Sequence, residues 1–317
     1  MRNVLVSPQS NRSRSVTRTY MTFGFALSVL IACGGGGVEV TNSDTASDVT
    51  TTDESFSTST ATTGDITMDG PILGSGPTLD SGPILGSGPI PAPPFAGTIF
   101  LDPDIITADD PSAFESIAYD GIALKRMFDR RANAFISLDA HIFQALYDDG
   151  LSIELQVNTE FSKTEASTEA DRYARLFGQL PTLLRRDVDT SWIHRGVKPW
   201  GGGNRNLLVH TGQAEFYFSS GIAEETLIHE ACHTSLDANY AAAPGWIAAQ
   251  QADVNFISTY ARDYPTREDI AESFLPYMAL RYRREAISDE YATTIENTIP
   301  NRIQFFDSIV KDMYPLE

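Results

Sequence analysis

The chain has 317 residues, room for one large domain or two small ones. It carries 42 acidic against 23 basic residues, a formal charge of −19. That balance excludes a nucleic-acid-binding surface, because phosphates must be met by clustered Lys and Arg. Charge is also unevenly distributed. Residues 1–32 hold four arginines and no acid, residues 33–94 hold eight acids and no base, and residues 95–317 hold the other 34 acids and 19 bases. The two cysteines, Cys33 and Cys232, lie in unlike surroundings, so no disulfide framework is expected. The last 220 or so residues must be stabilised by their own core, and they are long enough to build one.

Residues 1–20 are polar and basic, and an apolar run from Met21 to Ala32 follows. Twelve residues are too few to span a bilayer, which needs about 20. A basic start, a short apolar stretch and a small residue before the cut describe a secretory signal. The junction Leu30-Ile31-Ala32-Cys33 resembles the lipobox of bacterial lipoproteins, which implies that Cys33 becomes the lipidated first residue of the mature protein. Gly34 rather than Asp follows it, which by the same resemblance points to the outer membrane or cell surface.

Residues 33–94 read as a tether. They are rich in Gly, Ser, Thr, Pro and Asp, and Gly-Pro-Ile-Leu-Gly-Ser-Gly-Pro occurs at 70–77 and again at 82–89. Too few large apolar residues are present to offset the entropy of ordering. A flexible tether of this length has an r.m.s. reach of roughly 40–45 Å.

Within residues 95–317, the spans 142–147 and 151–157 read as a hairpin around Asp148-Asp149-Gly150, with Leu151, Ile153, Leu155 and Val157 at the period of a half-buried strand. Residues 164–177 read as a helix with Tyr173, Ala174 and Phe177 on one face. Residues 191–194, 207–211 and 215–218 read as strands, with Gly201-Gly202-Gly203 a loop between the first two. After Ser219 the chain reads as helical. Ser220 is the expected N-cap of the first helix, residues 246–260 the second and 266–284 the third. Thr266 and Asp269 stand at capping-box spacing there, and Pro276 marks a kink. Residues 301–313 read as a fourth. Strands first and helices afterwards argue for an α+β domain, and a monomer is expected.

The chemistry centres on His229-Glu230-Ala231-Cys232-His233. Histidines four apart on a helix project from one face, one turn apart, so two neutral nitrogens can meet one zinc ion. Glu230 is rotated about 100° from His229 and stands beside the metal, placed to take a proton from water there. The pattern arises by chance in roughly one chain of this length in a hundred, given ordinary residue usage. Here it also falls in an expected helix with uncharged neighbours, which favours a metal site over two solvated histidines. Cys232 projects away from His233 and reads as a packed thiol. A catalytic zinc site needs a third protein ligand and an open position. Glu268 and Glu272 share a helix face and are both candidates, whereas Asp237 lies too far along the helix from His229. His141, His194 and His210 read as structural or surface residues. The glycines at 201–203 lack the context of a phosphate-binding loop.

The segment Glu268-Asp269-Ile270-Ala271-Glu272-Ser273-Phe274 resembles the second motif of gluzincin metallopeptidases, particularly those related to anthrax lethal factor, which reads Glu-x-x-Ala-Glu-x-Phe. The resemblance covers roughly residues 226–274. It implies a zincin-like fold, Zn2+ as cofactor, a peptide or protein as substrate, Glu268 as third ligand, and Glu272 as a carboxylate that orients a zinc histidine. It also implies a tyrosine that stabilises the oxyanion. Tyr260 is the nearest match, and one extra residue before Glu268 leaves Tyr264 open beside it. Zincins bind substrate backbone along an edge strand before the active-site helix. Residues 207–211 or 215–218 are the candidates for it. The expected function is therefore a zinc metallopeptidase displayed on the cell envelope. The alternative is a binding or adhesion lipoprotein that keeps the fold without proteolysis.

Overall fold

The computed structural model describes residues 91–99 and 104–317. The expected signal, the lipidated Cys33 and the tether up to residue 90 lie outside the described residues. Three antiparallel strands open the fold: β1 (Phe114–Asp129), β2 (Ala134–Tyr147) and β3 (Ser152–Asn158). The β2–β3 turn is the expected one, with Gly150 at φ +82, a conformation glycine adopts at no steric cost. No strand is expected over residues 114–129, where Asp120-Gly121 interrupts the pattern. The chain absorbs that pair as a bulge, a register shift between Tyr119 and Gly121 with Gly121 at φ +102.

Helix α1 (Lys163–Gly178) starts one residue before the expected 164, and it opens on a capping box in which Ser162 and Glu165 bond reciprocally. It buries Ala166, Ala170, Tyr173, Ala174 and Phe177 against the sheet. A short α2 (Thr182–Arg185) returns the chain to β4 (Thr190–His194), which runs parallel to β3. The glycines read as a loop form a strand, β5 (Gly201–Gly203). It turns through Asn204 and Arg205, at φ 51 and 57, into β6 (Asn206–His210). Two consecutive positive φ values give the turn that suits the twist of a hairpin. The sheet order is β1-β2-β3-β4-β6-β5, with β6 parallel to β4 and β5 on the edge.

Residues 215–218, read as a strand, belong to a helix, α3 (Thr211–Ser219). Ala214 and Tyr217 are buried while Phe216 is exposed, so the apolar residues follow a helical face rather than an alternating one. Ser220 is not the N-cap of the next helix. It closes α3, donating its N–H to Phe216 O at 3.0 Å, and Gly221 at φ +66 reverses the chain. Helix α4 (Ala223–Ser235) then begins without a side-chain cap, and all of its residues are buried. Two short helices follow, α5 (Asp237–Tyr240) and α6 (Pro244–Ala252).

The single helix expected over 246–260 is broken at Asp253, and the chain resumes as α7 (Thr259–Asp263), capped by the Ser258 hydroxyl. Asp253 is drawn away from its own helix to cap α10 (Pro300–Ile309), accepting from Asn301 N at 2.7 Å and Arg302 N at 3.1 Å. The third expected helix, α8 (Asp269–Tyr282), begins at Glu268 with no capping box at Thr266, and it continues past Pro276. The guanidinium of Arg302, fully buried, ties these pieces together. Its Nε donates to Asp269 at 2.9 Å and its Nη1 to Asp253 at 2.9 Å. Leaving either charge unpaired there would cost about 3–5 kcal/mol. A further helix, α9 (Asp289–Thr298), has no counterpart in the sequence reading, and α10 stops four residues short of the expected 313.

The larger of two apolar clusters among the described residues joins the sheet to the helices, from Ile99 to Leu316, so the architecture is α+β. Among the described residues no helix is long and apolar enough to cross a membrane. Beta-strand β3 is covered on both faces at its C-terminal end, where Gln156 and Asn158 are buried too.

Parallel pairing of β4 and β6 sets His194 beside His210, rings stacked at 5.5 Å and both fully buried. Asn158 Nδ2 donates to His194 Nδ1 at 3.1 Å, and His210 Nδ1 donates to Arg195 O at 2.9 Å. Burial pushes the His194 pKa from 6.5 down to about 4, although the nearby Asp129 carboxylate opposes the shift. The folded protein thus refuses a proton that the unfolded chain takes up. Stability from this group is complete above pH 6.5 and is lost as the pH falls towards 4. A difference of about 2.5 pH units, at about 1.4 kcal/mol each, makes that loss about 3 kcal/mol. Urea unfolding between pH 7 and 4 should show a shallower acid decline in His194→Gln than in the wild type. Parallel declines would contradict this assignment.

Candidate metal centre

Helix α4 carries His229, Glu230 and His233, and α8 packs against it so that Glu268, at the N-cap of α8, faces the histidine pair. His229 Nε2 and His233 Nε2 lie 3.2 Å apart. Glu268 Oε2 lies 3.2 Å from His233 Nε2 and 3.5 Å from His229 Nε2. The three side chains are buried. A tetrahedral centre with bonds of about 2.0–2.1 Å sets its ligands about 3.3–3.4 Å apart, so one ion can reach all three atoms. Among the described residues no other group of His, Cys, Asp and Glu converges in this way.

The outer atoms decide what the inner ones present. His233 Nδ1 lies 2.7 Å from Asp237 Oδ2, so the ring proton sits on that side and Nε2 offers a lone pair inward. On the other ring, Glu272 Oε1 lies 3.5 Å from His229 Nδ1. Two ring nitrogens and a carboxylate oxygen therefore face one another at the centre, and Glu268 Oε2 makes no hydrogen bond there. Such a group in a buried site calls for a cation. A proton can serve in its place. Burial pushes the His229 pKa down, but Glu268, Glu272 and Glu230 together outweigh it and leave it raised. Glu268 is in turn held well below the usual carboxylate range by His229 and His233, against the opposing effect of burial. Burial lifts Glu272 to about 7. Two imidazoles and a carboxylate are a donor set that suits zinc.

The structure brings His229, His233 and Glu268 together and places Glu272 against His229, as the motif spacing suggested. Glu230 is 1 % exposed, and neither of its carboxylate oxygens has a hydrogen-bond partner. Tyr260 lies on α7, not in the preceding helix, and its hydroxyl donates to Glu268 Oε1 at 3.1 Å. The Tyr264 ring packs 5.1 Å from that of Tyr260. Cys232 is buried in the core, where burial raises its pKa, in keeping with packing rather than ligation.

Sequence reasoning missed three contributors. Asp237, weighed as a ligand, instead holds His233 from one turn further along, and its i, i+4 spacing was the available signal. Arg267 donates to Glu268 Oε1 at 2.9 Å, a role that adjacency in sequence does not announce. Ser258, the cap of α7, donates to Glu272 Oε2 at 2.5 Å. The expected substrate edge is also corrected. Strand β6 lies inside the sheet and residues 215–218 are helical, so the edge beside α4 is β5.

Glycine is required in β5 because that strand lies on the backbone of α4. A Cβ on Gly202 would stand 1.7 Å from the Glu230 carbonyl oxygen, and Gly203 N donates to Thr234 Oγ1 at 2.8 Å.

No protein-family model matches this chain, and searches of curated proteins and of solved structures find no match. The assignment of the site therefore rests on its geometry. Gly202→Ala should lower unfolding stability by about 3 kcal/mol, since backbone cannot yield as a side chain can. A variant within about 0.5 kcal/mol of the wild type in urea unfolding would contradict the close approach.

Proposed function

We propose that this chain is a zinc-dependent metallopeptidase with a zincin-like fold, in which His229, His233 and Glu268 hold the metal. The observation that carries the reading is Glu230. Its carboxylate is buried beside a three-ligand cluster, free of hydrogen bonds, and a purely structural metal site has no use for it. Bound zinc would supply Lewis acidity, polarising a carbonyl and acidifying a water molecule. Glu230 takes the proton from the attacking water and passes it to the leaving amine. Tyr260, whose hydroxyl reaches Glu268 Oε1, would be the donor for the oxyanion, with Tyr264 as the alternative. Strand β5, bare of side chains and on the sheet edge along α4, suits the backbone of an extended peptide. Asp237 and Glu272 keep the two imidazoles turned inward. We read residues 1–32 as a lipoprotein signal, Cys33 as the lipidated residue and residues 33–94 as a tether, which would display residues 95–317 on the cell envelope as a monomeric peptidase domain.

One observation favours a second reading, a surface-held binding protein that keeps the metal without hydrolysis. His229, Glu230, His233 and Glu268 are each less than a tenth exposed, so substrate must find a way in. Turnover decides between the two. In purified protein, Glu230→Gln should lower peptide hydrolysis by at least about 10²-fold while zinc content stays near one per chain. Full activity in that variant would sink the mechanism. A wild type that binds zinc and cuts no member of a peptide library would favour the binding protein.

A further inference from the structure

The chain ahead of β1 makes contacts that the proposed reaction does not use. Residues 95–99 run alongside residues 257–260, and Phe95 forms a parallel bridge with Ser258. Phe95 N donates to Ile257 O at 3.4 Å, Thr259 N to Phe95 O at 2.9 Å, and Tyr260 N to Gly97 O at 3.3 Å. Gly97, at φ +71, donates its own N–H to Thr259 Oγ1 at 2.7 Å. Upstream, Asn255 Nδ2 donates to Pro91 O at 2.6 Å, and the Phe95 ring rests 5.8 Å from that of Tyr291. Ile99 is 3 % exposed and donates its N–H to Glu272 Oε2 at 3.0 Å.

That last bond reaches the metal centre. Glu272 Oε2 accepts from Ile99 N and from the Ser258 hydroxyl, so two donors fill one oxygen. The other, Oε1, has no hydrogen bond of its own and faces His229 Nδ1 at 3.5 Å. A buried carboxylate with one oxygen pinned has little freedom to rotate, and the pinned oxygen fixes the direction of the free one. The donors Ile99 and Ser258 belong to paired segments far apart in sequence, and the same pairing holds the backbone of Tyr260.

We propose that residues 95–99 are a positioning strap for the metal centre, with the Ile99 amide and the Ser258 hydroxyl acting through Glu272 on the orientation of His229. The inference rests on the metal reading above. The strap supplies no ligand. It fixes the carboxylate that fixes the ligand, which is the kind of partner whose loss weakens metal binding about 10–100-fold.

The test measures zinc affinity of the full chain by competition with a chelator. Ile99→Pro deletes the N–H and keeps an apolar side chain. Ser258→Ala deletes the hydroxyl, and Ser258→Thr keeps it. The first two should bind zinc about 10–100-fold more weakly, and Ser258→Thr should stay within about threefold of the wild type. Each deletion is then repeated in Glu272→Ala, where its effect should shrink below about twofold because the route through Glu272 is gone. A merely structural defect would keep its full effect in that background. Should Ile99→Pro fail to fold, the Ser258 variants carry the comparison. Unchanged affinity in a folded deletion variant, or an effect that persists undiminished in Glu272→Ala, would overturn the strap alone. A wild type that binds no zinc would overturn the metal reading and the strap together.

Discussion

Helix α4 is buried along its whole length, and this constraint governs the rest of the molecule. A buried helix that carries His229, Glu230 and His233 must find partners for every nitrogen and oxygen they bring inside. Outer nitrogens are met by Asp237 and Glu272. The inner nitrogens face each other and Glu268 Oε2, an arrangement that a positive charge at its centre would complete. Packing chosen for its own sake would have placed apolar side chains there, as it does at Ile228 and Cys232 on the neighbouring face.

Much of the surrounding structure can be traced to holding Glu268 in that place. Its helix must start at one definite residue, and the buried Arg302 sees to this by binding Asp269, the very next residue. The same guanidinium draws in Asp253, which leaves α6 to cap α10, so residues 254–258 stay out of a helix. The end of that stretch and the first turn of α7 are what the strap pairs with. On the opposite side, β5 lies against the α4 backbone at a distance only glycine permits. The centre is thus gripped by the sheet edge, by α8 and by the chain that leads into the domain. Glu230 alone is left without a hydrogen-bonded partner among these groups.

The residues of the centre were legible in sequence because their spacing is local. His229 and His233 one turn apart, and Glu268 and Glu272 one turn apart, can each be placed on a helix face without knowing the fold. The helix over 164–177 and the turn at Gly150 were legible for the same reason. What escaped depends on distant partners. Asp253 breaks a good helical pattern because Arg302, far along the chain, competes for it. Residues 215–218 look like a strand until Gly221 ends their helix, and β1 hides behind an Asp-Gly pair that the sheet accommodates as a bulge. Ile99 contributes only a backbone N–H, which no side-chain pattern records.

The central claim is that one metal ion sits between His229, His233 and Glu268. Anomalous diffraction at the zinc edge, from crystals of the protein loaded with zinc, tests it most directly. The account predicts a single strong peak about 2.0–2.2 Å from His229 Nε2, His233 Nε2 and Glu268 Oε2, with Glu272 and Asp237 one shell further out. A zinc-loaded crystal with no peak there, or with Glu272 in place of Glu268 on the ion, would contradict it.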